Sequence, residues 1–210
     1  MPPKGAVIAS SVMEAARPRT DAPNDPVVEA AFQAVLDDQV AEIFHGELFT
    51  TPRPSPAHAN ATSVLGEALG PPFRRGRGGP SGWVFLIEPE LHLGARPDKM
   101  VPDLAGWRRE RLPAALLDAK AEGAITIAPD WVCEVLSDRT ERIDRGKKRR
   151  IYRREGVMHL WFLDPRDRTL EVYRLGDGRW LEVDTFEGDA PVRAEPFDAI
   201  ALTLGDLWRW

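Results

Sequence analysis

The sequence predicts an α/β domain: a central mixed β-sheet flanked by helices, with an added antiparallel hairpin. Three stretches predict it. APDWVCEVLS (128–137) is short, rich in β-type residues and apolar on both faces except at Glu134, the pattern of a buried strand. DRTERIDRGKKRRIYRREG (138–156) follows directly and has helical spacing, with Gly156 placed as a C-terminal cap. RTLEVYRL and RWLEVDTF alternate with a period of two around Gly176-Asp177-Gly178, the pattern of a hairpin.

The other elements follow in chain order. Residues 1–26 hold five prolines and little apolar periodicity, which predicts a disordered arm ahead of one domain over 27–210. PVVEAAFQAVLDD predicts a helix over 26–38, with Val28, Ala31, Phe32 and Val35 on one face. AEIFHGELFTT predicts two strands around a His45-Gly46 turn. SPAHANATSVLGEAL predicts a second helix, capped by Ser55 with Pro56 in its first turn. GPPFRRGRGGPSG is a loop; WVFLIEPELHL predicts a strand bent near Pro89, and VPDLAGW another short strand. In the long helix, Asp138 and Glu141 fit a D-x-x-E capping pattern. VMHLWFLDP predicts a further strand, and the tail a short helix carrying Trp208.

Composition bounds the chemistry. With 210 residues the chain can bury a sizeable core without disulfides, and its single cysteine, Cys133, rules out a Cys-rich zinc site. One cysteine and no apolar run near the ~18 residues of a membrane span predict a cytoplasmic protein. The net charge of −5 argues against a histone-like coat, but it averages unlike regions. Residues 139–154 carry nine Lys or Arg against Glu141 and Asp144, a net of +7. Residues 155–210 carry twelve acids and six bases, a net of −6.

Glu134 is the residue that needs a partner. Alternation puts Val132, Glu134 and Leu136 on one face of their strand and Trp131, Cys133 and Val135 on the other. An unpaired carboxylate in such a strand costs several kcal/mol or takes up a proton. Asp103, following Pro102 on the upstream strand, offers a second acid. Two carboxylates on neighbouring strands could bind a hard divalent cation such as Mg²⁺; the alternative is that Asp103 caps a strand end and Glu134 pairs with an arginine. In the helix, Asp144, Lys148 and Tyr152 form an i, i+4, i+8 stripe, with Lys147 beside it. Arg142, Arg145 and Arg149 of this helix, and Arg74, Arg75 and Arg77 of the loop, are candidate phosphate contacts.

These phrases together resemble the Uma-two family, a branch of the PD-(D/E)XK nucleases related to restriction endonucleases. HGELFTTPRPSPAHAN, GWVFLIEPELHL, VPDLAGW, the run from APDWVCEVLS to MHLWFLDP, and RTLEVYRL carry the resemblance, which extends from about Pro26 to the C-terminus. It implies a restriction-endonuclease-like core and Mg²⁺-dependent cleavage of nucleic acid, DNA above all, with Mn²⁺ as a substitute metal. It implies Asp103 and Glu134 as the paired acids, with the Val135 carbonyl completing the metal set. Leu136 stands where the superfamily has its lysine, and the D-x-x-x-K-x-x-x-Y spacing selects Lys148 instead. Asp144 is then placed to orient Lys148. Glu47 matches the family as a further acid, with a surface carboxylate as its alternative. His58 matches a family histidine that could contact phosphate. A homodimer would suit cutting of both strands. A different class of function is a nucleic-acid-binding scaffold that keeps the fold without catalysis, with Glu134 neutral or paired directly to Lys148.

Overall fold

The computed structural model describes residues 24–118 and 121–209. The arm expected over 1–26 lies outside the described residues except for its last three. There Asn24 is buried and bonded to the Pro97 carbonyl, and Pro26 opens a helix.

Helix α1 spans Pro26–Gln33, capped by Asp25, whose side chain accepts from the Val27 amide. It ends earlier than the expected 38 and buries no residue; Lys99 Nζ lies 4.5 Å over the Phe32 ring. Strands β1 (Gln39–Phe44) and β2 (Glu47–Pro52) form the expected hairpin. His45 and Gly46 both take positive φ, 55° and 81°, as a tight primed turn requires. Helix α2 (Pro56–Leu69) starts where Ser55 Oγ accepts from the His58 amide, and a π turn continues it over Gly70–Arg74.

The stretch 83–93 divides into two strands, β3 (Trp83–Ile87) and β4 (Leu91–Leu93), which enter different sheets. Glu88, at positive φ, and Pro89 make the break. Strands β5 (Asp98–Met100), β6 (Leu104–Arg108), β7 (Trp131–Val135) and β8 (His159–Asp164) follow. Strands β9 (Thr169–Gly176) and β10 (Arg179–Glu187) form the second hairpin, with a bulge between Glu182 and Asp184. Strands β11 (Pro191–Val192) and β12 (Leu202–Thr203) make a small pair.

The main sheet has six strands in the order β10-β9-β8-β7-β6-β3. Only β7 and β8 in it are parallel. Their connection is the basic helix, which consists of α3 (Glu141–Ile143), a π turn (Asp144–Lys148) and α4 (Arg149–Arg154) with helical backbone across both joints. Gly156, at φ 75°, caps its end as expected. The D-x-x-E capping box does not form: Ser137 Oγ accepts from the Thr140 amide, while Asp138 reaches out to Arg166. The first hairpin is also not part of the main sheet. It joins a second, four-stranded sheet, β2-β1-β5-β4.

Two apolar clusters sandwich the main sheet. One face carries Trp131, Cys133 and Val135 under α2 and the short C-terminal helix α5 (Leu204–Trp208). Phe197 lies at its centre, with the rings of Phe73, Trp83, Phe85, Trp131 and Trp161 within 5.5 Å. The other face carries Ala105, Trp107, Val132 and Leu136 under Ile151 and Tyr152 of α4. This is the division that alternation predicts. Fixed by it, Glu134 looks toward the helix that follows it in sequence.

Candidate active site

Three carboxylates converge on one ammonium, and a fourth, Asp103, stands at the same cavity. Lys148 Nζ lies 3.2 Å from Glu42 Oε1, 3.2 Å from Glu134 Oε2 and 3.3 Å from Asp144 Oδ1. It also donates to the Val101 carbonyl at 3.0 Å. Glu42 accepts from the Val101 amide at 2.9 Å, which ties β1 to the loop that delivers Asp103. Tyr152 donates its hydroxyl to Glu134 Oε1. Asp103 stands just before β6, where its Oδ2 accepts from the Val135 amide at 2.7 Å and its Oδ1 lies 3.3 Å from His58 Nε2. The amide of Val135 thus faces the β6 side, while that of Leu136 bonds Leu163 of β8. In a strand the carbonyl turns to the same side as its own amide. The Val135 carbonyl therefore faces Asp103, and it lies near enough to His58 to act on that ring.

Burial sets the protonation. Glu42, Glu134, Asp144 and Lys148 are each 5% exposed or less. Burial pushes the Glu134 carboxyl well above its usual range, against the opposing pull of Lys148. Burial likewise raises Asp144 to about 6, again against Lys148. Lys148 loses solvation too, yet Glu134, Glu42 and Asp144 outweigh that loss and hold it charged. Burial thus favours the protonated form of Glu134 and Asp144, and the ammonium of Lys148 opposes it. Burial pulls His58 down, but the Asp103 carboxylate more than offsets it and the imidazole is raised. The site thus presses cations against its acids from two sides.

The cluster lines an open cavity of ≈ 320 Å³. His58, Asp103, Asp144 and Lys148 reach it, and Arg53, Arg139 and Arg166 stand at its walls. As a metal site, the donors suit a hard cation: oxygen ligands, excess negative charge, and a buried Asp144 Oδ1 that accepts no hydrogen bond. Among the described residues, no three His, Cys, Asp or Glu side chains stand gathered as a ready ligand set, because Lys148 holds the oxygens that would turn toward a metal.

The expected residues separate in space. Asp103, Glu134, the Val135 carbonyl, Asp144, Lys148 and His58 come together. Lys147 does not: it lies over the Phe49 ring and 3.6 Å from Glu47. Glu47, 71% exposed, stands away from the acids. Glu42 takes the inward place instead, and sequence reasoning missed it. Its only local signal was an acid within VAEIF, which does not say which face of the strand turns inward. Arg145 is spent internally on Glu141, Glu171 and the Phe162 ring, and Arg149 lies over Tyr173. Arg142 is exposed on the helix. Arg74, Arg75 and Arg77 stand off the cavity, past the far end of α2. Cys133 is fully buried, and burial pushes its thiol well up, as fits a core residue.

A family model described as "Uma2: Putative restriction endonuclease" matches residues 30–205. The structure is similar to the crystal structure of a putative nuclease belonging to DUF820 from Anabaena variabilis. The TM-score is 0.65 and the identity 21%, covering 86% of this chain and 96% of that one. Comparison with curated proteins gave no match.

Proposed function

The chain belongs to the Uma2 family of putative restriction endonucleases, and from that premise we propose that it hydrolyses phosphodiester bonds of nucleic acid, DNA above all, using Mg²⁺ with Mn²⁺ as a substitute. The observation that carries this reading is the gathering of Glu42, Glu134 and Asp144 around a single lysine, with Asp103 held by His58 and the Val135 amide at the same open cavity. Four acids with one ammonium leave negative charge for a second cation to balance. The arrangement supports a restriction-endonuclease-like core of the PD-(D/E)XK type. No helix among the described residues is long and apolar enough to cross a membrane.

Asp103, Glu134 and the Val135 carbonyl would hold the metal. Mg²⁺, when bound, polarises a phosphoryl oxygen and acidifies water. Lys148 would aim its ammonium at the attacking water or at the negative charge that builds on the phosphoryl oxygens. Asp144 and Glu42 fix Lys148 from two sides, and Tyr152 fixes Glu134. His58 holds Asp103 from the cavity side. Arg139, exposed at the rim, meets the phosphate backbone, and two such sites in a homodimer would address both strands.

Asp103→Asn and Glu134→Gln preserve shape and remove charge. Each is expected to lower Mg²⁺-dependent cleavage by about 10³-fold while leaving duplex binding intact. Full cleavage by both variants overturns the reading. One observation favours the scaffold reading: Lys148 Nζ already sits on Glu134, so the cluster has an internal cation. Calorimetric titration separates the two, since a scaffold takes up neither Mg²⁺ nor Mn²⁺.

A further inference from the structure

The arginines of this protein fall into two kinds. Arg145, Arg154 and Arg166 are bound by carboxylates and their charge is cancelled locally. Arg74, Arg75, Arg77, Arg108 and Arg109 are all exposed, and among the described residues none of them forms an ion pair. Three of these five are nonetheless held in place. Arg74 donates to the Phe85 carbonyl at 3.4 Å, and Arg109 to the Trp83 carbonyl at 3.5 Å. Arg108 lies 4.2 Å over the Trp83 ring. The Arg109 amide donates to the Gly82 carbonyl, which brings the 70–82 loop against the end of β6. Neutral partners fix these guanidinium groups without neutralising them. A solvated surface face would need no such positioning, and a stabilising face would use acids.

The patch is also displaced from the acids. Strand β6 begins after Asp103 and ends at Arg108. Five residues of strand place the two about 17 Å apart, or about five base-pair steps of B-form duplex at 3.4 Å each. The geometry points to a separate anchoring surface for the nucleic-acid backbone, centred on Arg74, Arg75, Arg77, Arg108 and Arg109, which grips phosphates about five base pairs from the cavity. It rests on nucleic acid being the partner, not on cleavage. Guanidinium contacts to phosphate are sequence-independent and salt-dependent.

The test measures binding of the metal-free protein to a 30-base-pair duplex across a salt series. Arg75→Ala/Arg77→Ala removes two side chains that make no hydrogen bond or ion pair among the described residues, so folding is spared. The salt slope is expected to fall by about 2, and the triple variant with Arg74→Ala to lower it by about 3. Affinity at low salt should drop at least about 10-fold in the triple variant. Unchanged slopes in both variants overturn the patch, even if the protein cleaves DNA. A protein that cleaves nothing but loses these slopes overturns the hydrolase reading and keeps the patch. Vesicles containing phosphatidylserine are the competing polyanion, and binding to them with no preference for duplex overturns the assignment.

Discussion

Asp144 shows how the cluster trades stability for chemistry. Its carboxyl is raised from 3.8 to about 6 because burial outweighs Lys148. The fold therefore favours the protonated acid. That contribution is fully present below pH ~4, is lost as pH rises through ~6, and amounts to about 3 kcal/mol. Asp144→Asn stays neutral at every pH. It should raise the melting temperature at pH 8 and change it little at pH 4; an equal shift at both would contradict the assignment. Glu134 and Asp103 were legible in the sequence because a carboxylate inside an apolar strand, or just before one, is conspicuous. Lys148 was legible because its stripe with Asp144 and Tyr152 borders the buried face. Glu42 was not. Its bond to the Val101 amide spans 59 positions of chain, and nothing local in VAEIF says which face turns inward. Glu47, in a phrase that looked more telling, ended at the exposed end of its strand.

At the scale of the element, the basic helix is less basic than its sequence. Lys148 faces acids, Lys147 leans on Glu47, Arg145 is clasped by Glu141 and Glu171, and Arg154 by Asp98 and Glu155. Counting charge along the chain could not reveal this, because Glu42, Glu47, Asp98, Glu134 and Glu171 come from β1, β2, β5, β7 and β9. Arg145→Ala should therefore cost about 1–3 kcal/mol of stability and leave the salt slope of duplex binding unchanged. Arg139→Ala/Arg142→Ala, at exposed positions that form no ion pair among the described residues, should lower that slope by about 2 with little effect on melting. Helix limits were legible from Gly156. The π turn over Asp144–Lys148 was not, since nothing in DRGKK distinguishes it from an ordinary helical turn.

For the whole molecule, alternation predicted the two faces of the main sheet correctly but not the number of sheets. The β1–β2 hairpin and β4–β5 carry ordinary strand patterns, and their separate pairing depends on contacts between distant segments. Phe197 is the tertiary counterpart. It lies in a tail segment with no strand or helix of its own, yet it holds together rings from the end of α2, β3, β7 and β8. Phe197→Ala should cost about 3–5 kcal/mol and lower the melting midpoint on the order of 10 °C, by calorimetry. The bond from the Val135 amide to Asp103 has a consequence of another kind. It places one backbone proton in contact with the carboxylate at the cavity. In an amide NMR spectrum that single resonance would sense whatever Asp103 holds, so occupancy can be followed by a nucleus that takes no part in the chemistry.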